Sequence, residues 1–250
     1  MKERVRMWIK FDGIVNARDL GGIPAADGRK VKPGRLLRGA GLDKASDADI
    51  ARLQNEFHLR HVIDLRDERE CAMRPNREIP GAQAHLLPVM KVQPPRAPMD
   101  TVPDFDALFR RLYGNMAESD DAAAAYREMF NILLSCREGA VYFHCAQGKD
   151  RTGIASLLIL TALGVEEETA KEDYFLSNIG LKDSMADPES MGVRPWPEET
   201  IRKRFTVSPL TLDAYLSRIR DNWGGIDGYL RGALGLTEAD LQQLRRDYLE

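Results

Sequence analysis

The stretch from Ala140 to Gly164 constrains this chain's fold more than any other part of it. Ala140-Val-Tyr-Phe-His144 is a short apolar run that predicts a buried strand. Ile154 to Leu163 is an apolar run that predicts a buried helix, stopped by Gly164. Only Cys145-Ala-Gln-Gly-Lys-Asp-Arg-Thr-Gly153 lies between them. A strand therefore passes into a helix through one tight loop. A second buried strand is predicted at His61-Val-Ile-Asp-Leu, with Asp64 and Arg66 at its carboxyl end. In open α/β sheets that end is where ligands bind. The alternation of strands and helices predicts a three-layer α/β sandwich, with a mostly parallel central sheet and helices on both faces.

Other segments fill in that frame. Asn16-Ala-Arg-Asp-Leu-Gly-Gly22 has turn chemistry. Ser46 with Asp49 three residues on reads as a helix start, and Ile50, Leu53 and Phe57 follow as its apolar stripe. Residues 88–103 carry five prolines and predict a loop. Phe105, Leu108, Phe109 and Leu112 mark one helix; Tyr126, Met129, Phe130, Leu133 and Leu134 mark the next. Helices are also expected from Glu166 toward Asn178, from Thr211 to Asn222, and after a Thr237 cap. Residues 180–210 differ in character, with Met, Gly, Pro and the cluster Arg202-Lys203-Arg204, and are expected to form a helical lid insertion. The expectation is a single domain over 1–250 with that lid inside it.

Thirty-six Lys and Arg against 39 Asp and Glu leave a net charge of −3, which excludes a globally basic nucleic-acid binder. Residues 1–38 hold ten bases against four acids, a local +6 that suits either a solvated face or the rim of an anion site. The three cysteines, Cys71, Cys136 and Cys145, form no CxxC pair, so a disulfide framework or cysteine zinc site is not expected and a reducing compartment fits better. His58, His61, His85 and His144 show no metal-ligand spacing, and no metal or other cofactor is expected. The charged start, Met1-Lys-Glu-Arg-Val-Arg6, has no apolar h-region, and no run is long enough to span a bilayer. A cytoplasmic location is expected, with export by a non-Sec route left open.

The loop carries the chemistry. Backbone N–H groups of Ala146, Gln147, Gly148, Lys149, Asp150 and Arg151 can turn inward before a helix N-terminus and cradle an anion. Arg151 adds a planar fork for two phosphate oxygens. Cys145 sits at the foot of the cradle, where helix N-termini and cations stabilise a thiolate. Gly148 lets the loop close, and Thr152 offers a hydroxyl to the sulfur. His144, Cys145, Gly148, Arg151, Thr152 and Gly153 are six fixed identities, so chance occurrence at one start position is below ~10⁻⁷. A structural cysteine would need no such loop after it.

These residues resemble the signature HCxxGxxR of the cysteine-dependent protein tyrosine phosphatase superfamily. The form HCxxGKDRTG resembles a narrower bacterial and fungal group, of the mycobacterial secreted tyrosine phosphatase B type. That group's other segments are matched by Asn16 to Gly22, Leu36-Leu-Arg-Gly-Ala40, Asp64-Leu-Arg66, His85-Leu-Leu-Pro88, and Tyr229 to Thr237. The resemblance is diffuse over 89–135 and 180–210. It implies that Cys145 forms a phosphocysteine intermediate, that Arg151 binds the phosphoryl group, and that water then releases inorganic phosphate without a metal.

The general acid implied by the resemblance is Asp150, with Asp64 second and the loop acids Asp100, Asp104 and Asp106 behind them. Lys149 is either a solvent-facing loop lysine or a contact for a second phosphate. Phosphoinositide phosphatases carry such a lysine, so lipid headgroups join phosphorylated proteins and peptides as expected substrates. His144, Asp64, Arg66, Arg18 and Asp19 are candidates for bracing the loop or touching substrate. For Asp19 a turn carboxylate is an equal alternative. The competing functions are a lipid phosphatase, a phosphate-binding module without turnover, and rhodanese-type sulfur transfer. Loss of phosphate release in Cys145→Ser separates the phosphatases from the other two.

Overall fold

The computed structural model describes residues 8–90, 104–186 and 197–250. Strand β5 (Ala140–His144) lies at the centre of the sheet. It is flanked in parallel by β2 (Leu36–Gly39) and β3 (Leu59–Asp64). Beyond β3 runs β4 (Gln83–Leu86), also parallel, and beyond β2 lies the two-residue antiparallel β1 (Arg18–Asp19). The order is β1-β2-β5-β3-β4. In register, Gly39 and Asp64 both stand opposite His144. The carboxyl ends of the three middle strands are therefore level, and the loop after β5 opens between them.

Successive strand residues face opposite sides, so each middle strand feeds two cores. Leu36, Ile63, Val141 and Phe143 belong to the larger one. That core takes in α3 (Phe105–Glu118), α4 (Asp120–Ser135), α5 (Asp150–Ala162), α9 (Pro209–Trp223), α10 (Ile226–Gly232) and α11 (Glu238–Tyr248). Leu37, Val62, Ala140 and Tyr142 face the smaller core, with Leu53 of α1 (Asp47–Asn55) and the chain segment around Phe11 and Ile14. The sandwich is thus α/β with helices on both faces, heavily on one and thinly on the other. Beyond its polar first turn helix α5 is apolar on nearly every side, as a helix surrounded by core must be; of its residues only Asp150 and Thr161 are not buried.

Helix starts follow their caps. Ser46 and Thr237 both form capping boxes, with Asp49 and Asp240. A third box, Asp67 with Glu70, begins α2 (Glu68–Met73). Helix α9 begins at Pro209, two residues before the expected Thr211, because Ser208 caps it and proline suits the first helical position. The 180–210 segment is not one insertion in secondary structure. Gly180 ends α6 (Glu167–Gly180), then come α7 (Lys182–Ala186) and α8 (Glu198–Phe205), and Leu210 lies in α9. The segment's centre, 187–196, and most of the proline-rich 88–103 lie outside the described residues. Asn16 to Gly22, expected as a turn, contains β1, with Asn16 itself in the left-handed region at φ 57°.

Candidate active site

The loop's carbonyls show which way its amides point. Asn16 donates its side-chain amide to the carbonyls of Gln147 (3.1 Å) and Gly148 (2.9 Å). Arg38 also donates to the Gly148 carbonyl, at 2.8 Å, and the Gly41 N–H donates to that of Ala146 at 3.3 Å. In a trans peptide the C=O and the following N–H point opposite ways. With these three carbonyls tied outward, the N–H groups of Gln147, Gly148 and Lys149 face the interior of the loop. Gly148 is required at its place: φ is +64°, and a Cβ would stand 2.2 Å from the Gly39 carbonyl oxygen. Cys145 is buried at the loop's foot. The Thr152 hydroxyl is buried there too, on the first turn of α5, without a hydrogen-bond partner of its own.

Arg151 does not wait unpaired. Its two terminal nitrogens grip the Glu70 carboxylate of α2 at 2.5 and 2.8 Å. Burial works against the guanidinium charge, but the Glu70 pair outweighs it and holds Arg151 above its ordinary pKa. For Glu70, burial acts upward and Arg151 prevails downward. A guanidinium has five N–H donors. Two go to Glu70, and among the described residues no side-chain acceptor takes the other three, which can serve phosphoryl oxygens. No local feature of the sequence singles out Glu70, because the partner that gives it a task lies 81 positions on.

Behind the loop stands a charge network. Arg18 and Arg38, both fully buried, share Asp173 of α6 at 2.7 and 2.5 Å. Arg18 also donates to the Asn16 side-chain oxygen at 2.7 Å, which aims that amide at the loop. Arg18 therefore braces the loop and is out of a substrate's reach. Asp19 is elsewhere: it accepts the N–H groups of Gly21 and Gly34 and holds a turn.

A second network lies beneath β3 and β5. Arg66 binds Asp64 through its fork, at 2.6 Å for the shortest contact. Asp64 also accepts from Asn76 at 2.9 Å and from the Cys71 thiol at 3.4 Å. Burial would raise Asp64, but His144 and the Arg66 fork prevail and hold it down at about 2. A carboxyl so held stays ionised at neutral pH, which leaves it no proton to give. His144 is fully buried, and that burial drives it toward the neutral form. Its Nδ1 lies 3.0 Å from the Cys145 carbonyl, an acceptor, so Nδ1 carries the hydrogen. Its Nε2 then accepts from Asn76, 3.1 Å away. With His144 neutral, the Arg66 fork is the partner that counts for Asp64.

Asp150, the first residue of α5, is half-buried. Its Oδ1 accepts from the Tyr113 hydroxyl at 2.8 Å, and its Oδ2 stands 3.6 Å from the Lys149 ammonium. Of the other loop acids, Asp104 caps α3, Asp106 pairs with Lys203 of α8 at 2.6 Å, and Asp100 lies outside the described residues. Lys149 departs from both expectations for it. It is fully buried, and its ammonium donates to the carbonyls of Arg204 (2.8 Å) and Thr206 (3.2 Å) at the end of α8. It lies over the Phe109 ring. It is neither solvent-facing nor, so held, directed at a second phosphate.

A loop of inward amides with a guanidinium on the next helix and a sulfur at its foot is built to accept a tetrahedral dianion with the sulfur facing its phosphorus. This is the working principle of a cysteine-dependent phosphatase. The sequence says which kind: the chain belongs to the tyrosine phosphatase family, whose model matches residues 9–250. It is 37% identical over 255 residues to a protein of Cupriavidus necator carried under a provisional tyrosine-protein phosphatase name, covering 96% of this chain and 88% of that one. It is 29% identical over 275 residues to the triple specificity protein phosphatase PtpB of Mycobacterium tuberculosis, covering 94% and 97%. A tyrosine-protein phosphatase of Nostoc commune is 30% identical over 128 residues, 48% of this chain and 42% of that one. Among the described residues no helix is long and apolar enough to cross a membrane.

Proposed function

We propose that this chain hydrolyses phosphotyrosine in proteins and peptides, and phosphoserine and phosphothreonine as secondary substrates, through a phosphocysteine on Cys145. The observation that carries the proposal is the loop itself. Three amides face inward over a buried thiol, and three arginine donors remain beside it. The Cys145 sulfur attacks phosphorus, the S–P bond forms, and the bond to the leaving oxygen breaks. Asp150 gives its proton to that oxygen, water then attacks phosphorus, and inorganic phosphate leaves as the S–P bond breaks. Amides of Ala146 through Arg151 and the Arg151 fork neutralise the equatorial oxygens, and the Thr152 hydroxyl serves the sulfur when it leaves. Asp150 is preferred over Asp64 because Asp64 spends its oxygens on Arg66, Asn76 and Cys71.

Within the single domain, the described part of 180–210 that reaches the loop, α8 and Thr206 after it, acts as a cover, tied down through Lys149 and through Lys203 with Asp106. Cys71, Cys136 and Cys145 are all unbridged, which suits a reducing compartment.

The test is phosphate release from a phosphotyrosine peptide and from a phosphoinositide panel, side by side. Wild type is expected to turn over the peptide faster, and Cys145→Ser neither. Release that survives in Cys145→Ser overturns the nucleophile; a faster rate on the lipids overturns the substrate class.

A further inference from the structure

Helix α3 presents one stripe to the interior: Phe105, Phe109, Tyr113 and Met116, all buried. The spacing asks only for apolar side chains there, and phenylalanine at 113 would satisfy it. Tyrosine adds a hydroxyl in a place where an unpaired polar group is costly. That hydroxyl has two partners, Asp150 Oδ1 at 2.8 Å and the Tyr174 hydroxyl of α6 at 2.7 Å. Tyr113 has a single proton to give. When it donates to Asp150, Tyr174 must donate to Tyr113, so the chain Tyr174–Tyr113–Asp150 is polarised toward the carboxyl.

The geometry has little slack. The Tyr113 and Tyr174 rings meet edge to face, with centroids 6.5 Å apart and planes at 90°. The Tyr174 ring lies against Gly153 in the first turn of α5, where a Cβ would come within 2.6 Å of it. The same helix α3 also sets Phe109 beneath Lys149, its ring centroid 4.6 Å from the ammonium. One helix thus addresses loop positions 149 and 150 together.

We propose that Tyr113 is a positioning residue for Asp150: by fixing Oδ1 it leaves Oδ2 as the oxygen that exchanges the proton with the leaving group. The inference rests on the acid role given to Asp150 above. In the first step, Oδ2 gives its proton to the leaving oxygen as the P–O bond breaks and the S–P bond forms. In the second, water attacks phosphorus, its proton goes to Oδ2, and the S–P bond breaks. Tyr113 keeps its proton through both steps. Burial first, and the Asp150 charge next, push its phenol well above the ordinary value.

The experiment compares kcat/KM for an alkyl phosphate with kcat/KM for an activated aryl phosphate in Tyr113→Phe, Asp150→Asn and the double variant. Proton donation by a positioned acid supplies roughly 10²-fold or more, and a misaimed one loses part of that. Tyr113→Phe is expected to lower the alkyl rate about tenfold more than the aryl rate, and to add nothing in the Asp150→Asn background. Tyr174→Phe, which keeps the bond to Asp150 and loses its polarising partner, is expected to shift the same ratio by less. Equal losses on both substrates in Tyr113→Phe, or a full Tyr113→Phe effect on top of Asp150→Asn, overturn the positioning role and leave the Asp150 assignment standing. An Asp150→Asn variant with no leaving-group dependence overturns the acid assignment itself, and the inference with it.

Discussion

Arg18, Arg38 and Arg66 are almost wholly buried, and each ends on a carboxylate. Arg38 shows the tension in this arrangement. Burial first, and the neighbouring Arg18 next, draw it down to about 10, while Asp173 pulls the other way. Removing one partner from a buried charged group costs about 3–5 kcal/mol, because the other charges stay behind without compensation. Asp173→Ala strands two guanidiniums, so urea unfolding should register a loss of that order, with phosphatase activity falling alongside it. A loss under about 1 kcal/mol would place this triad among the weakly coupled surface pairs. Acid should act on the same class of group. Asp64, held at about 2, binds its proton less readily when folded than the unfolded chain does near ~3.9. The unfolded state therefore gains protons first as pH falls. Stability supplied by Asp64 is present above pH ~4 and is lost toward pH 2, worth roughly 2 kcal/mol. Urea midpoints should be level from pH 7 to 5 and drop steeply below pH 4, and Asp64→Asn should soften that drop. Asn16, Arg18 and Arg38 stood out in the sequence through the segments they share with a phosphatase group. Their task did not, because the partner that explains it, Asp173, sits in an ordinary-looking amphipathic helix 135 residues beyond Arg38.

At the level of elements, what was legible was local. The strand before Cys145, the helix after it and the Ser46 and Thr237 caps are decided by neighbours in sequence, so periodicity and capping chemistry find them. The attachment of α8 is decided by Lys149, a loop lysine about 50 residues earlier, and no local signal announces it. Lysine donors on the last carbonyls complement a helix's negative end. Here one ammonium meets two such carbonyls, so Lys149→Met should loosen α8 selectively. Losing a charged hydrogen bond costs about 1.5–3 kcal/mol, which corresponds to roughly tenfold or more in local opening. Trypsin cleavage within Arg202-Lys203-Arg204 should accelerate by that factor while the circular dichroism of the folded chain is unchanged. An unaltered cleavage rate would show that α8 is held by Phe205 and the Lys203–Asp106 pair alone.

Across the whole molecule, the sheet makes the two cores one. Val141 and Phe143 of β5 face the larger core, and Ala140 and Tyr142 face the smaller. Leu36 and Leu37 divide in the same way on β2, as do Ile63 and Val62 on β3. Neither face can lose its strands without exposing the other. The hydrogen-bond networks add to this: Asn16 and Arg38 tie one side of the chain to the loop, while Glu70 ties α2 to Arg151. For a chain of 250 residues, where separate folding units are common, this shared sheet argues for one cooperative transition. Equilibrium unfolding in urea should give coincident curves by far-ultraviolet circular dichroism and tryptophan fluorescence. Trp8, packed against Gly180 and under the Arg18 guanidinium, and Trp223, packed beside Tyr229, report from distant parts of the fold. An oxyanion such as vanadate, bound at the loop, should move both curves together, since it stabilises only the folded chain. Two separated transitions, or a vanadate shift confined to one probe, would mean that the α9–α11 layer unfolds apart from the sheet that carries the site.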